Sequence, residues 1–277
     1  MLITKASGLT EEFKEEKISK SLAAAGLDPD LISQVITDLK DFLKPGATTN
    51  EIYDRVNDFL RVRSLFKYAY NYDLKRAIMK LGPTGYPFEE FVAKVLTTKG
   101  YSTSVGQILP GKCLPHEVDI DATQTGTHYL IECKFHNQPG TKTDIQVVLY
   151  TYARFMDLTD QIHSLHPDEV VVPWLITNTK VSKDAITYAN CHQLQITSWT
   201  YPEETCLRRL VIESGLHPIT CLNSLREDQL YSLLHKNIIL CSDLSEALKR
   251  GELADVFDQK QKHELVKELN AILMISY

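Results

Sequence analysis

The stretch "HEVDIDATQTGTHYLIECKFH", residues 116–136, contains two neighbouring segments with the alternating pattern of β-strands, and both carry charged residues. In the first segment a period of two puts Glu117, Asp119 and Asp121 on one face and leaves Val118 and Ile120 on the other. This pattern predicts a strand with one apolar face and one acidic face.

A turn around Gly126 separates this segment from the second, "HYLIECKF", in which Leu130, Glu132 and Lys134 share a face. Pairing of the two strands would bring Asp119, Glu132 and Lys134 together. Residues 116–136 therefore predict a hairpin with two carboxylates and an ammonium group at one place.

Two carboxylates beside an ammonium group are typical of a site for a hard divalent cation next to a phosphodiester. Asp119 and Glu132 offer the oxygen ligands that Mg²⁺ prefers, and Mn²⁺ accepts the same set. The metal ion would acidify a water molecule for attack, and Lys134 would position that water or neutralise charge in the transition state. Asp121 competes with Asp119 for the metal role.

The order of these residues resembles the D-(x)n-E-x-K signature of the restriction-endonuclease-like nucleases. The helical stretch "GYPFEEFVAKVLTTKGY" resembles the helix that precedes this signature in the methylated-DNA restriction (Mrr-like) branch. The likeness continues through "FHNQPGTKTDIQVVLYTYARF" and "PWLITNTKVSKDAITYAN" and covers about residues 83–200. The E-x-K pattern alone is weak, and its plain interpretation is a surface ladder of salt bridges.

The resemblance implies three further contributors to the site. Glu89 would face it from the preceding helix and assist a metal, the backbone carbonyl of Cys133 would be a ligand, and Gln146 on the next helix would lie over the cluster. It also implies a mixed β-sheet flanked by helices. The sequence agrees, since "VVVPWLITNT" has the pattern of a buried parallel strand and "LQITSW" that of another.

Several basic residues near these strands are candidates for contact with DNA. Lys180 and Lys183 lie where a loop enters a helix capped by Ser182, and they would contact phosphate or simply be solvated. His136 and His116 flank the acidic strands, where each would contact DNA or a metal-bound water, or hold a hydrogen-bonded edge position. His163 and His166 have metal-like spacing, but a surface loop explains them better.

The first 80 residues predict a compact helical unit. After a short apolar segment and a turn at Gly8, helical stripes end at Gly26 and at Pro45–Gly46, and a third helix begins with a capping box at Thr48 and Glu51. A fourth helix, from about Leu65 to Leu81, precedes "GPTG", which predicts a domain boundary.

This succession resembles the ATP-cone, the nucleotide-sensing module of ribonucleotide reductases and related regulators. The likeness rests on "LITKASG", "FKEEKI", "AAAGL" and "TTNEI" and covers about 75 residues. It implies that Lys5 and Lys17 contact the phosphates of ATP or dATP and that Gly8 lets the backbone approach. Ala6 departs from the arginine of many members, and Lys5 and Lys17 are otherwise ordinary exposed lysines.

Residues 211–277 predict a third, helical region. "LNSLREDQLYSLLHKNIILCSDL" has a helix-turn-helix rhythm that weakly resembles the helix-hairpin-helix, although "HKN" replaces the usual glycine-rich hairpin. The terminal helix, with Leu265, Leu269 and Ile272 on one face, would pack on the chain or pair subunits.

Composition sets the outer limits of function. The 277-residue chain carries a formal net charge of −6 with 43% hydrophobic residues, which argues against a disordered protein and against a basic nucleic-acid coat without excluding DNA. The N-terminus lacks the apolar core of a signal peptide, no run nears the length of a membrane span, and the six cysteines form no C-x-x-C pair. We expect a soluble, cytoplasmic protein with reduced thiols.

Together these patterns predict an α/β chain of three parts: an ATP-cone at 1–80, a restriction-endonuclease-like domain at 83–205 and a helical region at 211–277. The predicted function is metal-dependent cleavage of DNA under the control of ATP or dATP. No Walker-type motif is present, so the nucleotide would be an effector rather than a fuel. The alternatives are a nucleotide-responsive DNA-binding regulator that does not cut, and a structural protein that forms homo-oligomers through its cone or its terminal helix.

Overall fold

The N-terminal part of the molecule is a small antiparallel hairpin followed by four helices. The computed structural model describes residues 1–5, 8–253 and 255–273, so Ala6 lies outside the described residues. The predicted capping box is present, because Thr48 Oγ1 accepts from the Glu51 N–H at 3.1 Å and Glu51 Oε2 accepts from the Thr48 N–H at 2.7 Å. The elements are β1 (Leu2–Thr4), β2 (Thr10–Glu12), α1 (Glu15–Ala24), α2 (Pro29–Phe42), α3 (Thr49–Val62) and α4 (Phe66–Met79).

One element of this part differs from the prediction. The stretch "EFKEEKISKSLAAAGL" predicts helix from Glu12 onward, but Thr10–Glu12 forms β2 and the helix begins only at Glu15. The backbone explains the difference, since β2 pairs with β1 and the Phe13 N–H donates to the Met1 carbonyl at 2.8 Å. A strand of three residues is too short to show an alternating pattern.

The centre of the molecule is a mixed five-stranded sheet in the order β3-β4-β5-β7-β9, which confirms the predicted mixed sheet. The strands β3, β4 and β5 are antiparallel, whereas β5, β7 and β9 are parallel and are joined by crossover helices. A two-stranded parallel ribbon, β6–β8, lies apart from the sheet. The elements are α5 (Tyr86–Thr98), β3 (Ser102–Leu109), β4 (His116–Gln124), β5 (Thr127–Lys134), β6 (Lys142–Thr143), α6 (Ile145–Leu165), β7 (Val170–Thr177), β8 (Lys180–Val181), α7 (Lys183–Cys191) and β9 (Gln195–Thr197).

The C-terminal region is helical, as predicted. Its apolar stripe at Leu265, Leu269 and Ile272 is buried in the core of this same chain. The elements are α8 (Leu207–Ser214), a 3₁₀ turn (Ile219–Cys221), α9 (Glu227–His235), α10 (Cys241–Lys249) and α11 (Gln259–Leu273).

The turn between α9 and α10 uses its own backbone donors. Leu240 donates its N–H to Asp243 Oδ2 at 3.1 Å, and Cys241 donates to the His217 carbonyl at 2.9 Å. The N–H groups of Asn237 and Ile238 donate to carbonyls of α9. These amides are therefore already bonded within the chain. The weak resemblance to the helix-hairpin-helix stays a prediction.

Helix α4 belongs to two cores at once. Ala69 is buried in the core of the N-terminal helices, and Tyr68 and Tyr72 pack against it. The opposite side of the helix, with Tyr70 and Leu74, is buried in the large core that includes α5, the sheet and the C-terminal helices. The break at "GPTG" therefore separates elements that share a hydrophobic core.

Two general features bear on the chain's environment. Within the described ranges, no helix combines the length and apolarity needed to cross a bilayer. All six cysteines are free thiols, and four of them are buried: Cys133, Cys206, Cys221 and Cys241.

Candidate functional site: an acidic cluster where two strands part

Strands β4 and β5 separate at Asp119. Their register runs from Gln124↔Thr127 to Ile120↔Ile131 and stops there. Beyond this point a side chain pairs with β5 in place of the backbone, because Asp119 Oδ2 accepts the backbone N–H of Cys133 at 2.7 Å. On the other side of β4, Asp119 is likewise not paired in the register with β3, and the β3 residue opposite it is Gly106, whose φ is +66°.

The alternation predicted for β4 is wrong at this point. Val118 packs in a cluster with Leu130 and with residues of α6, whereas Ile120 and Ala122 belong to the large core that includes α5. The two apolar residues that flank Asp119 therefore do not share one face. The change of side coincides with the position at which the Asp119 carboxylate accepts the Cys133 N–H.

Glu132 on β5 is held by an arginine that the sequence analysis did not single out. Arg154 of α6 donates from Nη1 to Glu132 Oε2 at 2.7 Å, and both side chains are about 14% exposed or less. Its Nη2 donates to the carbonyl of Glu117, so one guanidinium connects β4 to β5. The signal was present in the sequence, since Arg154 follows Gln146 by eight residues and thus lies near the same helical face.

Glu89 completes an acidic cluster, as the resemblance implied. It lies in the first turn of α5, and burial together with the charges of Asp119, Glu117 and Glu132 raises its pKa to about 7. Burial and the Asp119 charge likewise raise the pKa of Glu132 to about 7. Burial raises the pKa of Asp119 too, against the lowering effect of its hydrogen bond from Cys133. The carboxylates are close enough to disfavour one another's charge.

The other predicted members lie at different depths around this cluster. Lys134 is half-buried, and its charge acts on both Asp119 and Glu132 by lowering their pKa. Cys133 is buried, which raises the pKa of its thiol well above the usual range. Gln146 is exposed near the start of α6, where its N–H donates to Asp144 Oδ1 at 3.0 Å.

A buried polar network fixes the chain that follows Lys134. Thr177 Oγ1 donates to the Lys134 carbonyl at 2.7 Å, and the fully buried Asn178 bonds both backbone groups of His136, at 2.9 and 2.7 Å. His136 Nε2 lies 3.2 Å from Thr143 Oγ1, and burial lowers the pKa of this histidine. His136, predicted to contact DNA, therefore forms part of the scaffold beside the cluster.

Asp121, the rival of Asp119, is engaged elsewhere. His128 lies between two carboxylates, 2.6 Å from Asp121 Oδ1 and 2.8 Å from Glu169 Oε1. The bond to Asp121 is the main cause of a raised pKa for His128. His116 is similarly paired with Asp157 at 2.9 Å.

Side chains do not converge as a finished metal site. Within residues 1–5, 8–253 and 255–273, no group of three or more His, Cys, Asp or Glu side chains is arranged to hold a metal ion. His163, one of the two histidines with metal-like spacing, instead bonds the Glu169 carbonyl at 3.0 Å.

The predicted nucleotide-binding lysines meet at one carboxylate. Lys5 Nζ and Lys17 Nζ each lie 2.8 Å from the same oxygen, Oε2 of Glu11 in β2. These two ion pairs are the main cause of a lowered pKa for Glu11. Gly8 has a φ of +78°, a left-handed conformation that favours glycine in the turn between the two strands.

A cleft of about 330 Å³ opens beside these N-terminal helices. Its wall on that side includes Thr49 and Tyr53 of α3 and Lys75 of α4, while Gly140 and Arg208 belong to the opposite wall. Burial and the charge of Lys180 lower the pKa of Lys75. The cleft is therefore basic and is lined by parts of the chain far apart in sequence.

The predicted phosphate contacts Lys180 and Lys183 are exposed at the end of the sheet that carries the cluster. Lys180 is the partner of Lys142 in the β6–β8 ribbon, and the neighbouring Thr143 contacts Thr177 at 3.1 Å. The exposed lysines thus lie near the ends of β5 and β7.

Comparison with known proteins identifies both ends of the chain. Residues 1–81 match the ATP cone domain, and residues 217–273 match the family described as AF1548-like, C-terminal. An uncharacterized protein of Archaeoglobus fulgidus is 33% identical over 182 residues, which are 66% of this chain and 99% of that protein. A crystal structure titled as a protein of unknown function, AF1548, has 31% identity and a TM-score of 0.58, and the match covers 69% of this chain and all of that one. The chain therefore belongs to the AF1548-like family and carries an ATP-cone domain at its N-terminus.

Proposed function

We propose that this protein is a nucleotide-regulated, metal-dependent endodeoxyribonuclease. The observation that carries the proposal is the cluster of Glu89, Asp119 and Glu132 with Lys134 beside it, at the point where β4 and β5 part. Carboxylates whose pKa values are raised by burial and by one another's charge are expensive to maintain, and such arrangements concentrate at functional sites. A restriction-endonuclease-like domain at 83–205 is part of the proposal.

The chemistry of the donors fits Mg²⁺ or Mn²⁺. Asp119 and Glu132 present carboxylate oxygens from adjacent strands, and the carbonyl of Cys133, next to Glu132 in β5, offers a third oxygen. When bound, such an ion supplies an acidified water and stabilises negative charge on the phosphate. It would also offset the burial of the carboxylates and their mutual repulsion, which together raise the pKa values of Glu89 and Glu132.

The chain's own residues would divide the remaining tasks. Lys134, already acting electrostatically on Asp119 and Glu132, would neutralise charge that develops on the phosphodiester. Glu89, with a pKa of about 7, can hold or release a proton near neutral pH and is suited to proton transfer. Gln146 is exposed near the start of α6 and would contact substrate rather than the carboxylates.

DNA would reach the cluster over the exposed lysines at the end of the sheet. Lys142, Lys180 and Lys183 form a short basic surface there, which suits contact with phosphates rather than bases. The net charge of −6 makes such a local surface necessary, because the chain as a whole repels DNA.

The ATP-cone provides the nucleotide response, since ATP-cone domains bind effectors such as ATP and dATP. We propose that phosphates replace Glu11 between Lys5 and Lys17. The cleft with Tyr53 and Lys75 extends from the cone toward Gly140 and Arg208. Since α4 is packed in both cores, a ligand that changes its position would act on the sheet and on α5, which carries Glu89.

One observation favours a second candidate, a nucleotide-responsive DNA-binding regulator that does not cut. Arg154 already neutralises Glu132, and an arginine in place of a metal is compatible with a nuclease fold that has lost its activity. The intact Asp119, Glu132 and Lys134 set favours the enzyme.

The test is cleavage of plasmid, single-stranded and branched DNA with Mg²⁺ or Mn²⁺, with and without ATP or dATP. We expect metal-dependent cutting that is lost in Asp119→Ala and Lys134→Ala and kept in Asp168→Asn, which alters an exposed acid remote from the cluster in sequence. Intact DNA in every reaction, combined with DNA binding that responds to ATP, would identify the regulator instead.

A further inference from the structure

We infer that Arg154 is a built-in competitor of the divalent cation: its guanidinium neutralises Glu132 in the absence of the ion and must release it when the ion binds. This inference rests on the proposed function. It assigns a role to a residue outside the D-(x)n-E-x-K pattern.

The charge of Arg154 lies directly beside the proposed ligand Glu132. Arg154 Nη1 lies 2.7 Å from Glu132 Oε2, and only 13% of the arginine side chain is exposed. Its charge lowers the pKa of both Glu132 and Asp119, the two proposed ligands. A metal ion bound by those carboxylates would lie close to the guanidinium, and two neighbouring cations repel each other strongly in a largely buried site.

Arg154 also has contacts other than Glu132. Nη2 donates to the carbonyl of Glu117, and the guanidinium carbon lies 5.2 Å from the centre of the exposed Tyr150 ring. Arg154 can therefore release Glu132 and keep two neighbours, a carbonyl and an aromatic face, that accept a guanidinium. The contact with Glu132 can open without leaving the arginine buried and unpaired.

The two proposed acidic ligands have different hydrogen-bond partners. Among the described residues, no three acidic, histidine or cysteine side chains are set to hold a metal. Glu132 faces Arg154 while the Asp119 carboxylate accepts the Cys133 N–H. Release of Glu132 by Arg154 is the change that would turn this carboxylate from the arginine toward Asp119.

The experiment measures Mn²⁺ binding to the full chain by calorimetry, without DNA or nucleotide. The variants are Arg154→Gln, Arg154→Lys, Asp119→Asn and, as a matched control, Arg209→Gln at an exposed arginine of α8. We expect Arg154→Gln to bind Mn²⁺ roughly tenfold to a hundredfold more tightly, the range by which a close opposite charge changes a carboxylate's affinity for protons. Arg154→Lys keeps a charge but not the double contact, so its affinity for Mn²⁺ should lie between those of the wild type and Arg154→Gln.

The control Arg209→Gln should bind like the wild type, and Asp119→Asn should lose binding. Circular dichroism checks that each variant is folded. If Arg154→Gln does not fold, Arg154→Lys still tests the inference. In EDTA the melting temperature of Arg154→Gln should fall and should recover with Mn²⁺ by more than that of the wild type. A merely structural salt bridge would lower it without that extra recovery.

Two results would overturn the inference in different ways. Equal or weaker Mn²⁺ binding by folded Arg154 variants, with binding lost in Asp119→Asn, would refute competition by Arg154 and leave the proposed nuclease standing. Absence of Mn²⁺ binding in the wild type and in every variant would refute both.

Discussion

Asn178 should be a structural requirement of the candidate site, although it touches none of the acidic residues. Its side chain is fully buried, and it accepts the His136 N–H at 2.9 Å and donates to the His136 carbonyl at 2.7 Å. In effect the amide takes the place of a neighbouring strand for the residue two positions after Lys134. Asn178→Ala removes both hydrogen bonds at once.

The cost follows from the two backbone groups that are left without partners. Each unsatisfied buried group costs about 1–3 kcal/mol, and His136 is only half-buried, so we expect a loss of about 2–4 kcal/mol in the free energy of unfolding. The chain after Lys134 would then be held mainly by the bond between Thr177 and the Lys134 carbonyl. A displacement of the order of 1 Å at a catalytic group lowers rates about a hundredfold, which is the loss of DNA cleavage we expect.

Urea unfolding measures the first effect and the DNA cleavage assay the second. Asn190→Ala is the matched control, because Asn190 is exposed on α7 and its change should stay within about 0.5 kcal/mol. If Asn178→Ala unfolds at the same urea concentration as the control, the two hydrogen bonds do not hold this segment. Unchanged cleavage in a destabilised variant would instead refute the link from Asn178 to Lys134.

Three further changes test other parts of the structure. Glu11→Gln should increase the affinity for ATP measured by calorimetry, because Lys5 and Lys17 no longer share a carboxylate, whereas equal affinity would mean that phosphate binds elsewhere. Because the pKa of His128 is raised, its contribution to stability is complete below about pH 6.5 and is lost as pH rises through the higher pKa of the folded state. His128→Gln should therefore flatten the profile of unfolding free energy against pH above about pH 6.5. An unchanged slope would assign this pH dependence to other groups. Gly82→Ala would place a methyl group 2.8 Å from Phe135 Cε1 and should lower the free energy of unfolding by about 1–3 kcal/mol, which thermal melting would detect. An unchanged melting temperature would mean that the Phe135 ring moves away freely.

Much of the fold was predictable because its signals are local. Capping at Thr48 and Ser182, the glycine at position 100 and the apolar run before Thr177 each act within one or two turns of chain. Hydrogen bonds of this range are set by neighbouring residues, so a single sequence contains the information needed to predict them. The mixed sheet follows from the same local signals.

The interruption at Asp119 was not predictable in this way. A period of two assumes that β4 pairs regularly along its whole length, but the Asp119 carboxylate replaces a backbone acceptor for Cys133, fourteen residues away. Val118 and Ile120 consequently join different clusters. Alternation describes a strand only while its ladder continues, and departures from a local pattern are expected at functional or strained positions.

The double role of α4 marks the other limit of local patterns, and it also bears on function. Tyr68 and Tyr72 pack against the core of the N-terminal helices, but Tyr70 and Leu74 form a second face, against a core assembled from much later residues. A helix that is apolar on both sides is typically buried between two layers. Because α4 lines the cleft with Lys75 and packs with its other side on the core that includes α5, the last helix of the ATP-cone domain is also part of the core that holds the helix of Glu89. A nucleotide that binds one position of α4 better than another can shift the acidic cluster through this packing by no more than its affinities for the two positions differ.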